Sequence, residues 1–249
     1  MDQHSEVVTD LQKSKIPYGW LRALLYVIAW IVIYSGFQIF GFGLISMFTG
    51  EDLFEMAEMS TSDDGLVFLI ISQAFGLLGT LLVTYLFRVY IDKKSFMSLG
   101  FKWQNYQKDA LYGFGLGFLL IGTGFFVLFA LGMLKVDGLD FSPLNLLLYF
   151  IVMCVVAVNE EIVDRGYVLT NLMDSTNKYV ALLISAVFFA VLHGTNPNMS
   201  WIAFFNIFLA GILLGTYYIH VGNLWFPIML HLSWNYFQGP VFGFEVSGI

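Results

Sequence analysis

Long apolar runs separated by short polar stretches dominate the chain. Windows of about 19 residues, the length that crosses a bilayer as a helix, identify candidate spans by their apolar content. Lipid offers backbone groups no hydrogen-bond partner, so each span must be a helix. The pattern predicts an all-α, polytopic transmembrane helical bundle with about seven spans, or eight in a longer parent chain. The predicted spans are 18–48, 66–91, 111–134, 144–172, 179–193, 201–219 and 224–242.

Composition supports a membrane protein. Of the 249 residues, 58% are hydrophobic and 12% are charged, whereas soluble domains carry about 25% charged residues. The net charge of −7 argues against nucleic acid as a partner, because phosphate binding needs a basic surface. The single cysteine, Cys154, excludes a disulfide scaffold. We therefore expect membrane lipids, and no nucleic acid, among the partners.

Basic residues predict the orientation, because they favour the cytoplasmic side of a membrane. They flank the first span and fill the second and fourth loops, whereas the first loop is acidic. We expect the N-terminus to lie in the cytoplasm. We expect the protein itself to lie in the inner or plasma membrane of a prokaryotic cell. The segment 94–107 is either an interfacial amphipathic stretch or an ordinary basic loop. The residues used are Lys13, Lys15, Arg22, Arg88, Lys93, Lys94, Lys102, Lys108 and Lys178, against Glu51, Asp52, Glu55, Glu58, Asp63 and Asp64.

Ionisable residues are expensive in a bilayer and mark functional sites, and the fourth span contains four of them. Glu161 and Arg165 are four residues apart, the spacing of an ion pair on one helix face. Glu160 lies about 100° around the helix from Glu161, so it can point into the bundle and is the better candidate for a general base. Asp164 is expected to share the face of Glu160 and to help it act as a base.

Two further spans carry histidines. Phe189 and His193 are four residues apart near the end of the fifth span, and His231 and Asn235 share a face of the seventh. The latter two can present two hydrogen-bond donors to one oxygen. At 1.5 Å per residue, Glu160 and His193 lie roughly 20 and 26 Å from the turn that joins their helices, so these groups can converge on one cavity. Two bland alternatives remain: histidines that bond neighbouring helices, or an ion path in a transporter.

Three motifs in this order, EExxxR, FxxxH and HxxxN, resemble the CAAX protease and bacteriocin-processing family of intramembrane proteases. The resemblance covers roughly residues 144–247. It divides the chain into a cytoplasmic N-terminal segment (1–17), N-terminal transmembrane helices (18–142) and a catalytic transmembrane core (143–249). The motif residues are Glu160, Glu161, Arg165, Phe189, His193, His231 and Asn235.

The resemblance implies an endopeptidase that hydrolyses a membrane-associated peptide or protein. Glu160 would activate water, and His193 would help to hold that water. His231 with Asn235 would stabilise the oxyanion, and Glu161 with Arg165, Asp164 and Phe189 would support the site. The sequence departs from the family at Asp164, where an aromatic residue is common.

The sequence leaves the cofactor and the activity open in three respects. Glu160, His193 and His231 could form a His₂Glu zinc site, but the HExxH helix of common zinc proteases is missing, and we favour chemistry without a metal or other cofactor. A non-catalytic immunity or scaffold protein of the same fold is one alternative function. A small proton-coupled transporter is another.

Overall fold

A computed structural model describes residues 14–50, 52, 65–138, 141–196, 199–244 and 246. The described residues form helices and no strand, which confirms the predicted all-α class. The helices are α1 (Gly19–Thr49), α2 (Leu66–Ile91), α3 (Gln107–Ala130), α4 (Pro143–Met173), α5 (Lys178–Leu192), α6 (Trp201–Val221) and α7 (Trp225–Tyr236). Wider π-helical turns occupy Phe87–Ile91 in α2, Ile162–Leu169 in α4 and Phe237–Val241 after α7.

Each of the seven predicted spans contains one helix, but the helices differ in length. α1, α2, α3, α4 and α6 are long and apolar enough to cross a membrane, and the protein is an integral membrane protein. α5 has 15 residues, fewer than the ~20 of a typical span, and α7 has 12 before its π-helical continuation to Val241. His193 directly follows α5, and His231 lies in α7.

Local signals in the sequence explain where several helices begin and end. Ser142 accepts a hydrogen bond at the start of α4, and Pro143 occupies the first helical position, where its missing N–H costs nothing. Asn177 and Ser200 cap α5 and α6 in the same way. Gly222 ends α6 with a φ of +69°, a left-handed conformation that glycine adopts without strain.

The bundle is arranged around α4. On one side α4 packs against α2, which packs against α1, and on the other side it packs against α7, which packs against α3. α5 and α6 form a closely packed pair that contacts the π-helical part of α4. The middle of α4 therefore faces α5, α6 and α7 together.

A row of hydrogen bonds joins α1 to α2 inside the apolar bundle. Polar groups recur every four residues along one face of α1, and each reaches a polar side chain on the antiparallel α2. Buried polar groups need such partners. The sequence analysis missed this row because it searched the spans for ionisable groups. The pairs are Tyr26 with Thr84 (2.7 Å), Trp30 with Thr80 (2.8 Å), Tyr34 with Gln73 (3.1 Å) and Gln38 with Ser72 (2.9 Å).

An ion cluster ties α1, α2 and α4 together at one end of the bundle. Asp92 lies 3.2 Å from Arg22 and 3.0 Å from Arg88, and all three residues are buried. Asn171 of α4 accepts a hydrogen bond from Arg22 Nε at 2.6 Å. The two arginines that the sequence analysis counted as flanking basic residues are therefore structural ion-pair partners.

The orientation itself stays a prediction. Asp52 is described, but the other acidic residues of the first loop lie outside the described residues, as does the basic residue nearest to the N-terminus. These are Glu51, Glu55, Glu58, Asp63, Asp64 and Lys13.

The segment 94–107 combines features of both alternatives. It contains a short 3₁₀ helix, Phe96–Leu99, in which Leu99 is fully buried. Gly100 accepts a hydrogen bond from the Leu224 N–H at 2.9 Å, which anchors the segment at the start of α7. Met97 and Trp103 are about half exposed.

Glycines let α3 approach α7 closely. A Cβ at Gly117 would lie 2.7 Å from the Ser233 Cβ and 2.9 Å from the Leu230 carbonyl oxygen, and one at Gly113 would meet the backbone of α7. Ser233 donates a hydrogen bond to the Phe114 carbonyl oxygen at 2.6 Å. Small residues at this spacing bring membrane helices together.

Gly117→Ala should therefore destabilise the protein by about 1–3 kcal/mol, the usual cost of overpacking. The measurement is the melting temperature of the protein purified in detergent. Gly115→Ala is the matched control, because a Cβ there meets nothing within 4 Å and alanine favours the helix. Equal melting temperatures for the two variants would contradict the assigned contact.

Candidate active site

The π-helical turn of α4 begins at Ile162, directly after the two glutamates. Its i→i+5 hydrogen bonds widen the helix and change which residues share a face. Glu161, Asp164 and Arg165 are buried at this turn, and Glu160 retains a side-chain exposure of 27%. The site residues of α4 are therefore placed by a helix that departs from ordinary α geometry.

Arg165 connects α4 to α5 and α6. Its Nη1 lies 2.9 Å from Glu161 Oε1, with both side chains fully buried. Its Nη2 donates a hydrogen bond to the Gly211 carbonyl oxygen of α6 at 3.2 Å. The guanidinium lies 4.4 Å from the centre of the Phe189 ring of α5, a cation–π contact. The structure thus forms the ion pair that the sequence spacing indicates and adds two contacts that the spacing does not contain.

Asp164 makes two contacts inside the bundle. Its Oδ1 accepts a hydrogen bond from Ser185 Oγ at 2.6 Å. Its Oδ2 lies 3.2 Å from Arg165 Nη1. Asp164 is therefore a buried partner of Arg165 and Ser185, and its expected role beside Glu160 stays a prediction.

His231 of α7 is bonded to Glu161. The His231 Nδ1 lies 2.9 Å from Glu161 Oε1, and an ionised carboxylate can only accept, so Nδ1 carries a proton. Glu161 therefore pairs with Arg165 and His231 at the same oxygen. Sequence reasoning assigned Glu161 to Arg165 alone, since nothing in the sequence indicates a bond between residues 70 positions apart.

His193 caps the C-terminal end of α5. Its Nδ1 pairs with the Phe189 carbonyl oxygen at 2.8 Å, so Nδ1 is the donor and Nε2 is left facing Glu160. Glu160 Oε2 lies 3.6 Å from His193 Nε2 and 3.8 Å from His231 Nε2. These separations are too long for direct hydrogen bonds. Glu160 Oε2 therefore faces both imidazoles at a distance of less than 4 Å.

The charge of the cluster is not balanced by its own cation. Three carboxylates and one guanidinium give −3 + 1 = −2 when both histidines are neutral. Glu160 Oε2, Glu161 Oε2 and Asp164 Oδ2 are buried without a hydrogen-bond partner among the described residues. The three carboxylates therefore share a single guanidinium, Arg165, among the described residues.

Zinc is the metal that this set of donor atoms suggests, and its fit depends on the donor types and on the distances between them. The donor types suit zinc, and the Nδ1 bonds of both histidines resemble those that orient zinc ligands. Ligands at 2.0–2.1 Å in a tetrahedron lie about 3.3–3.4 Å apart, closer than the 3.6 and 3.8 Å seen here. Within the described part of the chain, no three His, Cys, Asp or Glu side chains are arranged to hold a metal. The residues do not fit zinc in this conformation.

A cavity of about 570 Å³ lies beside the cluster, between α5, α6 and α7. His193, His231 and Asn235 all line it. Glu160 is not a lining residue, but its Oε2 lies within 4 Å of the two histidines that line the cavity. Sequence reasoning assigned no role to the remaining polar residues that line the cavity. Asn206 could have been found from the sequence, because it is a polar residue in an apolar helix. The remaining polar residues are Asn206, Trp234 and Gln238.

The fold and the site together define a helical membrane protein with a carboxylate–histidine–asparagine centre at an internal cavity. Residues 142–237 match the family described as type II CAAX prenyl endopeptidase Rce1-like. This match confirms the resemblance seen in the motifs and supports a protease. A search of curated proteins and a search of solved structures found no match.

Glu161→Gln should strongly destabilise the protein, because removing one member of a buried ion pair strands the other and costs about 3–5 kcal/mol. We expect low abundance in membranes and a reduced melting temperature in detergent. The double variant Glu161→Gln/Arg165→Gln should recover part of the loss. Glu160→Gln is the control, since Glu160 Oε2 has no hydrogen-bond partner among the described residues. A Glu161→Gln protein as stable as this control would contradict the assigned pairing.

Proposed function

We propose that the protein is an intramembrane endopeptidase in which Glu160 activates water. The observation that carries the proposal is the position of Glu160 Oε2 within 4 Å of two histidine nitrogens, His193 Nε2 and His231 Nε2, beside a cavity that both histidines line. The family description supports peptide bonds as the target.

Water is held between His193 and Glu160. The Phe189 carbonyl oxygen keeps the His193 proton on Nδ1, so the lone pair of Nε2 accepts one O–H of the water. Glu160 Oε2 accepts the other O–H and takes that proton as general base. The water oxygen then attacks the carbonyl carbon of the scissile bond, and a tetrahedral intermediate forms.

His231 and Asn235 stabilise the negative oxygen of that intermediate. The Glu161 carboxylate lies 2.9 Å from His231 Nδ1, and in the proposed mechanism His231 is an imidazolium whose Nε2 also carries a proton. The Nε2–H and the Asn235 amide then donate two hydrogen bonds to the oxyanion. Glu161 orients the histidine, in the way that a buried carboxylate serves a catalytic triad.

The second half of the reaction returns the proton. Glu160, now protonated, donates it to the nitrogen of the leaving amine as the carbon–nitrogen bond breaks. The products are a carboxylic acid and an amine, and Glu160 is again a carboxylate. The mechanism uses no metal and no other cofactor.

The substrate is a membrane-associated peptide or protein. The matched family is described as a type II CAAX prenyl endopeptidase family. A fluorogenic peptide that ends in a prenylated CAAX sequence is therefore the first probe.

Glu160→Gln should abolish cleavage of this probe while the protein remains folded, because glutamine has the shape of glutamate but cannot take the proton. The measurement is cleavage by purified protein in detergent, and melting temperatures of both proteins provide the control. Cleavage at the wild-type rate by Glu160→Gln would exclude the mechanism. A wild-type protein that cleaves neither this probe nor other membrane peptides would favour the non-catalytic scaffold or immunity role.

Asn235→Ala should lower kcat by about 10²- to 10³-fold with KM little changed, the usual scale for losing one oxyanion donor. Steady-state kinetics with the same probe measure both constants. One tightly bound zinc per chain, lost together with activity on chelation and restored with it, would contradict the metal-free mechanism.

A further inference from the structure

One face of α6 forms a wall of the cavity. The lining positions on this face recur at intervals of three and four residues, as one side of a helix requires. Asn206 is the polar member of the face, is exposed, and has no hydrogen bond to any described residue. A polar side chain without a partner is costly inside a membrane and marks a functional position. The residues of α6 that line the cavity are Ala203, Asn206, Ile207, Leu209, Ala210, Leu213 and Leu214.

α6 is held by α5 and stands apart from α7. Gly211 packs against Ala186, and Gly215 packs against Leu182, whereas α6 and α7 contact each other at few positions. The cavity occupies the resulting wedge. Asn206 therefore stands on the α6 wall, and His231 and Asn235 stand on the α7 wall.

A peptide substrate in this wedge needs hydrogen-bond partners for its backbone. An extended peptide in lipid exposes N–H and C=O groups, and each unsatisfied group costs several kcal/mol. The oxyanion donors serve one carbonyl on the α7 wall. The next backbone groups need partners across the wedge, and a carboxamide offers the matching donor and acceptor.

Apart from the catalytic groups assigned above, the other polar groups at the cavity already have partners. Gln238 Oε1 accepts a hydrogen bond from Trp234 Nε1 at 2.7 Å. His193 Nδ1 is bonded to the Phe189 carbonyl oxygen.

We propose that Asn206 binds the substrate backbone from the wall opposite the oxyanion donors and so positions the scissile bond. The substrate segment lies extended between α6 and α7, with its backbone hydrogen-bonded on both sides. The assignment rests on the proposed function, because it takes the occupant of the cavity to be a peptide.

The first test is the kinetics of Asn206→Leu on the prenylated CAAX probe. Losing one hydrogen bond of ordinary strength should raise KM roughly tenfold, with kcat changed less than twofold, because Glu160 and the oxyanion donors remain. Asn206→Gln keeps the carboxamide and should recover most of the affinity. Phe205→Leu is the matched control, since Phe205 is 56% exposed and does not line the cavity. Melting temperatures show that all variants are folded.

The second test uses probe analogues in which one backbone N–H near the scissile bond is replaced by an ester oxygen. For one of these analogues, the wild-type protein should show a KM roughly tenfold higher than for the parent probe. The Asn206→Leu variant should show the same KM for that analogue and for the parent probe. Unchanged KM in Asn206→Leu, or full discrimination by that variant, would overturn the role of Asn206 and leave the proposed function intact. Absence of cleavage by the wild-type protein would overturn both.

Discussion

The buried pairing of Arg165 with Glu161 is the constraint on which the rest of the site depends. A guanidinium in an apolar bundle needs a carboxylate beside it, and these two groups lie 2.9 Å apart with no exposure. The same Glu161 oxygen is bonded to His231, and the same guanidinium contacts Gly211 and the Phe189 ring. One ion pair therefore fixes α4 relative to α5, α6 and α7, the helices that carry the proposed site.

The π-helical turn of α4 begins directly after Glu161. Asp164 and Arg165 lie within this turn and contact Ser185 and Glu161. Glu160, just before the turn, faces the two histidines. Adjacent glutamates thus differ in their contacts: Glu161 belongs to the buried pair, and Glu160 is the proposed general base. π turns inside helices are frequent at functional sites.

Sequence spacing predicted what helices alone determine. The seven apolar segments, the Glu161–Arg165 pair and the proximity of Phe189 to His193 follow from hydropathy and from the four-residue repeat. The contact of Asp164 with Ser185, the bond between Glu161 and His231 and the row from Tyr26 to Gln38 were missed because all of them depend on which helices are neighbours.

The two histidines differ in what holds their Nδ1 proton. For His231 the partner is the Glu161 side chain, whereas for His193 it is the main-chain carbonyl of Phe189. A substitution can remove a side chain, but every residue at position 189 retains its carbonyl. The hydrogen bond of His231 Nδ1 can therefore be removed by a substitution of Glu161, whereas that of His193 Nδ1 survives any substitution at position 189. The tautomer of His193 is set by the backbone at the C-terminal end of α5.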